Sequence, residues 1–172
     1  YQHLWEEDLD PLARVSTEGG LEETMFRFLS RQLYQMDLDE DTAQTVRYLA
    51  ACLDEDGYLR IPLQELADSI SVPLAQVERC VEILRSLEPA GVGASNLSQC
   101  LELQLLRIRK TGPVLDIVRH HLEELAKRHY RAIAAQLSVP LEEVYQAEKT
   151  ILELEPRPGA PFAHSGQVQY IL

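Results

Sequence analysis

The sequence predicts an all-α chain of two helical subdomains, a helical bundle followed by a helix-turn-helix-like subdomain, and three observations carry that prediction. Strong helix formers (Leu, Glu, Gln, Ala, Arg) dominate a chain that is 45% hydrophobic but only 6% aromatic, a mixture poor in strand formers. Beyond residue 21, apolar residues recur at the three- and four-residue spacing of a helix face. A segment of nineteen residues then returns 67 residues later without a gap, so one supersecondary unit is used twice.

Residues 1–20 (YQHLWEEDLDPLARVSTEGG) are acidic, show no sustained period and close on a Gly pair, as an acidic linker would. The first subdomain is expected over 21–110. It opens as a helical hairpin: Leu21, Met25, Phe28, Leu29 and Leu33 share one helical face, and Ala43, Val46, Leu49, Ala50 and Leu53 share another. Asp39, Glu40 and Asp41 fall at the positive end of the second helix. The stretch LDEDGYLRIPLQE, 53–65, invites comparison with a calcium loop. Placing Gly57 at loop position six, however, puts Cys52 at position one and Leu63 at position twelve, where that motif needs Asp and a bidentate Glu. A turn with Gly57 at positive φ, leading into a short extended YLRI, is the economical reading.

The repeat follows. SVPLAQVERCVEILRSLEP, 71–89, aligns with SVPLEEVYQAEKTILELEP, 138–156, at eight identities in nineteen positions. Upstream, Leu66, Ala67 and Ile70 correspond to Ile133, Ala134 and Leu137, so each copy reads as a short helix, a Ser-Val turn and a longer helix opened by Pro. Leu74, Val77, Val81, Leu84 and Leu87 form one apolar stripe, and Leu141, Val144, Ala147, Ile151 and Leu154 the other. This is the pattern of a helix-turn-helix. A helix-turn-helix DNA-binding transcriptional regulator is therefore the alternative to weigh, and the charges oppose it. Residues 73–86 carry Glu78 and Glu82 against Arg79 and Arg85, and 140–153 carry four Glu against Lys149 alone, whereas a base-reading helix needs Arg, Lys, Asn or Gln. These helices are expected to face protein.

Between the copies lies LEPAGVGAS, 87–95. Pro89 disfavours helix at Glu88, Gly91 and Gly93 permit a sharp reversal, and Ser95 or Asn96 caps a new helix carrying Leu97, Leu101, Leu105 and Ile108. Periodicity lapses at Lys110-Thr111-Gly112-Pro113, and Leu115, Val118, Leu122 and Leu125 then open a second subdomain over 113–172. Its helix-turn-helix ends at PRPGAPF, where Pro156, Pro158 and Pro161 are expected to prevent further helix. The chain closes inside an apolar run, VQYIL, and reads as a piece of a longer protein.

Composition narrows the function. The net charge of −12 is concentrated in residues 1–60, which hold 14 acids against 5 bases, a balance that repels phosphate backbones. Cys52, Cys80 and Cys100 are odd in number and widely spaced, which suits buried thiols in a reducing cytoplasm better than disulfides or a metal site. His120, His121 and His129 lack ligand-like neighbours, and surface positions are expected for them. No apolar run reaches membrane-spanning length. The sequence offers no nucleophile elbow, phosphate-binding glycine loop or zinc-protease motif, so no catalytic residue, cofactor or metal is assigned and the chain is not read as an enzyme.

At LDEDGYL (53–59), ELADSISVPLAQVE (65–78), LEPAGVGASNLSQCLELQL (87–105) and LEPRPGAPF (154–162), the sequence resembles the bacterial sigma-54 class of RNA polymerase sigma factors in the region that binds core polymerase. With the hairpin at 21–53, the resemblance covers nearly all of 21–172. Where the family commonly has Arg-Asp after GVGA, this chain has Ser95-Asn96. The resemblance implies a cytoplasmic module that holds the factor on core RNA polymerase for activator-dependent promoter opening. Promoter DNA and ATP-driven activators would be engaged mainly through other segments of such a factor, and no membrane is implied. The candidate polymerase-interaction or loop-shaping residues are Asp54, Asp56, Gly57 and Tyr58 in the first loop, and Glu88, Pro89, Gly91, Val92 and Gly93 in the second.

Overall fold

The computed structural model describes residues 23–162. Among the described residues there are nine helices and no strand. They are α1 (Met25–Tyr34), α2 (Glu40–Ala51), α3 (Leu63–Ile70), α4 (Leu74–Arg85), α5 (Leu97–Arg107), α6 (Pro113–His120), α7 (Leu122–Ala126), α8 (Tyr130–Leu137) and α9 (Leu141–Leu152). The acidic lead-in 1–20 and Leu21 lie outside the described residues.

Local chemistry sets the helix ends. The side chains of Thr24, Asp39 and Asn96 each accept a bond from the backbone N–H three residues on, and so cap α1, α2 and α5. Asp39 also accepts from the Thr42 hydroxyl, which holds its carboxyl below the usual carboxylate value. Of the two capping residues expected for α5, Asn96 is the one that acts. Pro113 occupies the first turn of α6, where its missing N–H costs nothing. α3 and α8 end on Ser71 (φ 55°, ψ 46°) and Ser138 (φ 57°, ψ 47°) in the left-handed region. The next N–H in each turn, from Val72 or Val139, closes back onto Ala67 or Ala134.

Burial groups the helices into two units. In the first, α2 packs on α1 and α4, and α3 packs on α4, around Leu29, Leu33, Val46, Leu49, Leu66, Val77, Val81 and Leu84. In the second, α6 packs on α5 and α9, α9 packs on α8, and α7 joins α6 to α8. Its core holds Leu101, Leu105, Val114, Ile117, Val118, Ile133, Val144 and Ile151. α5, which lies before the lapse in periodicity at 110–113, thus sends Leu101 and Leu105 into the second core. The other two members of its expected stripe stay outside: Leu97 is 43% and Ile108 55% exposed, because they sit on the helix's first residue and its C-cap, at its two ends.

The duplication reaches further than the helix-turn-helix. α3 and α4 match α8 and α9 at both ends with an offset of 67 residues. With an offset of 72, the cap Thr24 matches Asn96, Leu29 matches Leu101, Gln32 matches Gln104 and Leu33 matches Leu105, while Val46 of α2 matches Val118 of α6. The two units share one plan. The change of offset means that the connection before the helix-turn-helix is five residues longer in the first unit, and the extra chain is the LDEDGYL loop.

Residues 58–60 belong to no helix, turn or strand, and Tyr58 and Leu59 pack into different apolar clusters. Two expectations need correction. Residues 160–162 turn helical again, with Pro161 in the first turn, where proline is tolerated. His121 is buried rather than exposed, with Nδ1 2.6 Å from a Glu124 carboxylate oxygen. Of the adjacent pair His120 and His121, only one ring can face out.

Candidate functional site

The two loops singled out by sequence meet each other and the chain leaving α9. Asp54 organises the first loop. Its Oδ1 accepts from the Asp56 and Tyr58 N–H groups, both at 2.9 Å, and its Oδ2 accepts from Arg60 Nε at 2.8 Å. Partial burial alone would raise this carboxyl, but the bonds from Tyr58, Arg60 and Asp56 together outweigh it and hold the carboxyl below the usual carboxylate value. Both carboxylate oxygens of Asp54 are thus engaged within the loop.

Gly57, at φ 92°, directs its carbonyl toward the second loop, where Gly93 N–H donates to it at 2.9 Å; Leu59 N–H donates to the Ala94 carbonyl at 2.8 Å. Two backbone rungs therefore join loops that are far apart in sequence. From the other side, Gly159 N–H donates to the Asp56 carbonyl at 2.8 Å. Gly159 needs no unusual φ but has no room for a side chain: a Cβ there would lie 2.4 Å from the Glu55 carbonyl oxygen.

Tyr58 closes the junction. Its hydroxyl donates to the Pro156 carbonyl at 2.6 Å, and the Arg60 guanidinium lies 4.5 Å from its ring centroid. Burial, reinforced by the neighbouring Cys100 thiol, pushes the phenol up to about 12 from its ordinary 10.0, and burial also raises the Cys100 thiol itself. Both groups stay neutral at ordinary pH. The junction contributes hydrogen bonds and shape, and presents no activated nucleophile.

Each LEP tripeptide is held by a glutamine that sequence reasoning missed. Gln32 on α1 accepts from Glu88 N–H at 2.8 Å and donates to the Glu88 carbonyl at 2.6 Å. Gln104 on α5 does the same for Glu155, at 2.9 and 2.7 Å. Glu88 and Glu155 are equivalent in the sequence repeat, and Gln32 and Gln104 are equivalent in the structural one. Arg107 adds a second hold on the first tripeptide, pairing with the Glu88 carboxylate at 2.8 Å and donating to the Arg85 and Leu87 carbonyls at 3.0 and 3.2 Å. Phe162 stacks against Phe28 of α1, with ring centroids 5.5 Å apart.

Of the nine candidate residues, Asp54, Asp56, Gly57 and Tyr58 thus join Gly91, Val92 and Gly93 at one junction. Glu88 and Pro89 lie toward α1 and α5 instead. Gly57, Tyr58, Gly91, Val92 and Gly93 are all buried, whereas Glu88 is exposed. The signal for Gln32 and Gln104 was present in the sequence as a polar residue inside each apolar stripe, next to Leu33 and Leu105.

Residues 16–172 match the family described as sigma-54 factor, core binding domain. The chain is 32% identical over 160 residues to the RNA polymerase sigma-54 factor of Bacillus subtilis (strain 168), a match that covers 90% of this chain and 37% of that protein. It is 35% identical over 139 residues to the RNA polymerase sigma-54 factor of Caulobacter vibrioides, covering 81% of this chain and 28% of the relative. With the RNA polymerase sigma-54 factor of Escherichia coli K12 it shares 26% identity over 162 residues, or 90% of this chain and 34% of the relative. The chain spans about a third of the length of these relatives. A paired helical scaffold locked by the LEPAGVGAS and LEPRPG segments, together with a family match over nearly its whole length, places this chain in the sigma-54 factors as a member of their core-binding-domain family.

Proposed function

We propose that the chain fastens a sigma-54 factor to core RNA polymerase, while promoter DNA and ATP-driven activators are engaged mainly by other segments of the factor. In this reading it is part of a transcription initiation factor working in the cytoplasm, and it is not an enzyme. The family match over residues 16–172 carries the proposal. The free state of Cys52, Cys80 and Cys100 suits a reducing compartment, and among the described residues no helix is long and apolar enough to cross a membrane.

Among the residues named from sequence, we assign Gly57, Tyr58, Gly91, Val92 and Gly93 to fixing the angle between the units, and leave contact with polymerase to exposed side chains. The turn between α1 and α2 is the best-equipped surface. It presents Tyr34 at 76% exposure and Met36 at 37% beside the exposed acids Asp37, Asp39, Glu40 and Asp41. An exposed aromatic followed by a run of acids suits a basic, partly apolar patch on a protein partner, and the Arg47 guanidinium, 5.9 Å from the Tyr34 ring centroid, packs on the same ring. We also propose that the subdomain boundary lies in the 88–95 connection, since Leu101 and Leu105 belong to the second core.

Crosslinking of the folded chain to purified core polymerase, mapped by subunit, tests the reading. The expected result is a discrete set of crosslinks and an affinity that falls about tenfold on Tyr34→Ala with no change in melting temperature. A folded chain that recovers no polymerase at moderate salt would overturn the function. Wild-type affinity for Tyr34→Ala would overturn only the surface.

A further inference from the structure

The duplication provides an internal comparison, because side chains that serve only the shared fold should look alike in both units. One exposed region does not. The approach to α8 reads Lys127-Arg128-His129-Tyr130-Arg131, whereas its counterpart before α3, 67 residues earlier, reads Arg60-Ile61-Pro62-Leu63-Gln64. On the neighbouring helix α9, Tyr145 replaces Glu78 of α4. In a chain of net charge −12, the second unit has acquired a compact basic and aromatic surface.

Its geometry is concave. Arg128, His129, Tyr130, Arg131, Ala132 and Tyr145 line an open cleft of about 390 Å³. The Tyr130 and Tyr145 rings meet edge to face with centroids 5.0 Å apart, and Tyr145 remains 43% exposed. Lys127, Arg128, His129 and Arg131 are exposed, and no carboxylate among the described residues lies within ion-pair distance of Lys127, Arg128 or Arg131. On the aromatic side Glu148 accepts from the Tyr130 hydroxyl at 3.1 Å. Unpaired cations around a tyrosine pair are a phosphate-binding chemistry, since guanidinium forks match phosphate oxygens and tyrosine side chains contact phosphate and sugar.

We propose that this cleft contacts the phosphate backbone of duplex DNA. Its position supports that choice over an acidic protein. α8 is the first helix of a helix-turn-helix pair, the element that in this motif lies against the DNA backbone rather than in the groove. α9, the second helix, opens with exposed Glu142 and Glu143, which repel the phosphates flanking a groove. The footprint is therefore two or three phosphates without base reading. The inference stands on the second unit alone and does not depend on polymerase binding.

The test is an NMR titration of the isotope-labelled chain with a duplex of about 16 base pairs at roughly 50 mM salt, where millimolar affinities are measurable. Amides at 127–131 and 145 should shift, and log K against log salt should fall with a slope of about −2 to −3. Arg128→Glu with Arg131→Glu should weaken binding at least tenfold. A control of equal net charge, Arg27→Glu with Arg79→Glu, should stay within about threefold of wild type. Tyr145→Ala, which removes no charge, should weaken binding while leaving the salt slope unchanged, and this readout holds if the double variant fails to fold. The proposal is overturned if millimolar duplex moves none of these amides, or if the shifts survive charge reversal. It is equally overturned if poly-glutamate at matched charge moves the same amides at lower concentration, which would assign the cleft to an acidic protein.

Discussion

Replacing Gln104 isolates the hold on the second LEP tripeptide. The side chain is only 7% exposed, and it both accepts from the Glu155 N–H at 2.9 Å and donates to the Glu155 carbonyl at 2.7 Å. Gln104→Ala removes these two neutral hydrogen bonds, each contributing about 1 kcal/mol net, together with two longer ones from Nε2 to the Cys100 carbonyl and Sγ at 3.3 Å, and leaves a cavity costing about another 1 kcal/mol. The sum, about 2 to 4 kcal/mol, lowers the melting temperature by roughly 4 to 16 °C for a chain of this size. Gln32→Ala should cost less, about 1 kcal/mol, because Gln32 is only half-buried and Glu88 is exposed, so water can replace the lost partner.

Gln104→Glu is the sharper perturbation. The carboxylate still accepts from the Glu155 N–H but opposes the Glu155 carbonyl with a second acceptor, and only the protonated acid can restore the donor. Burial and that opposition raise the folded pKa of the new carboxyl above its unfolded value of about 4.3. The stability it supports is therefore fully present below the unfolded value and is lost as pH rises through the folded one. Thermal melts at pH 4 and pH 7, each referred to wild type at the same pH, should show a deficit that is small in acid and large at neutrality. A deficit independent of pH, or an unchanged melting temperature for Gln104→Ala, would refute the two-bond account.

Gly159→Ala should destabilise by about 2 kcal/mol or more, because the new Cβ meets backbone atoms of 55–57 that cannot swing aside; Gly112→Ala, with nothing within 4 Å but φ at 90°, should cost only about 1 kcal/mol of backbone strain. Wild-type stability should decline as pH rises from 10.0 toward about 12, where the Tyr58 phenol ionises, and Tyr58→Phe, measured by denaturant titration, should lack up to about 2 to 3 kcal/mol of that decline. Asp54 has a lowered pKa, so its stabilisation is present above 3.8 and lost as pH falls below it. The gap between wild type and Asp54→Asn, under about 1 kcal/mol because the ion pair with Arg60 is solvent-screened, should close across that acid range.

How legible each feature was follows from the kind of signal it leaves. The helix-turn-helix pair could be read directly, because its turn and its closing tripeptide are constrained residue by residue: Ser71 and Ser138 take the same left-handed conformation, and Pro73 and Pro140 open the next helix in the same way. The pairing of α1 and α2 with α5 and α6 left almost no such trace, since helix packing asks only for apolar residues at the right spacing. Leu29, Gln32 and Leu33 against Leu101, Gln104 and Leu105 are too few to stand out. For the same reason the lapse at 110–113 marks where a helix ends and not which core its side chains enter, and Leu101 and Leu105 cross it. Gly57, Gly91 and Gly93 could be marked as turns, yet their partners, 36 residues apart for Gly57 and Gly93, lie beyond the reach of any local pattern.

The junction itself follows from how the second copy departs from the first. Five extra residues before α3 create the LDEDGYL loop, and that loop supplies the Gly57 carbonyl, which accepts from Gly93 in the connection between the units, and the Asp56 carbonyl and Tyr58 hydroxyl, which bond to the segment after α9. The second unit has the shorter connection, runs from α7 straight into Lys127–Arg131, and leaves that region exposed. One copy has thus spent its connection on fixing the partner unit, and the other has kept its connection free. Backbone rungs at Gly57, Leu59 and Gly159 and the Tyr58 phenol tie the first unit to the connection and to the chain leaving α9, whereas Gln32 and Gln104 each hold a LEP tripeptide within its own unit. A change at Gly159 or Tyr58 should therefore alter how the units are disposed before it unfolds either core, and under the proposed function loss of polymerase binding in such variants should precede loss of helix content.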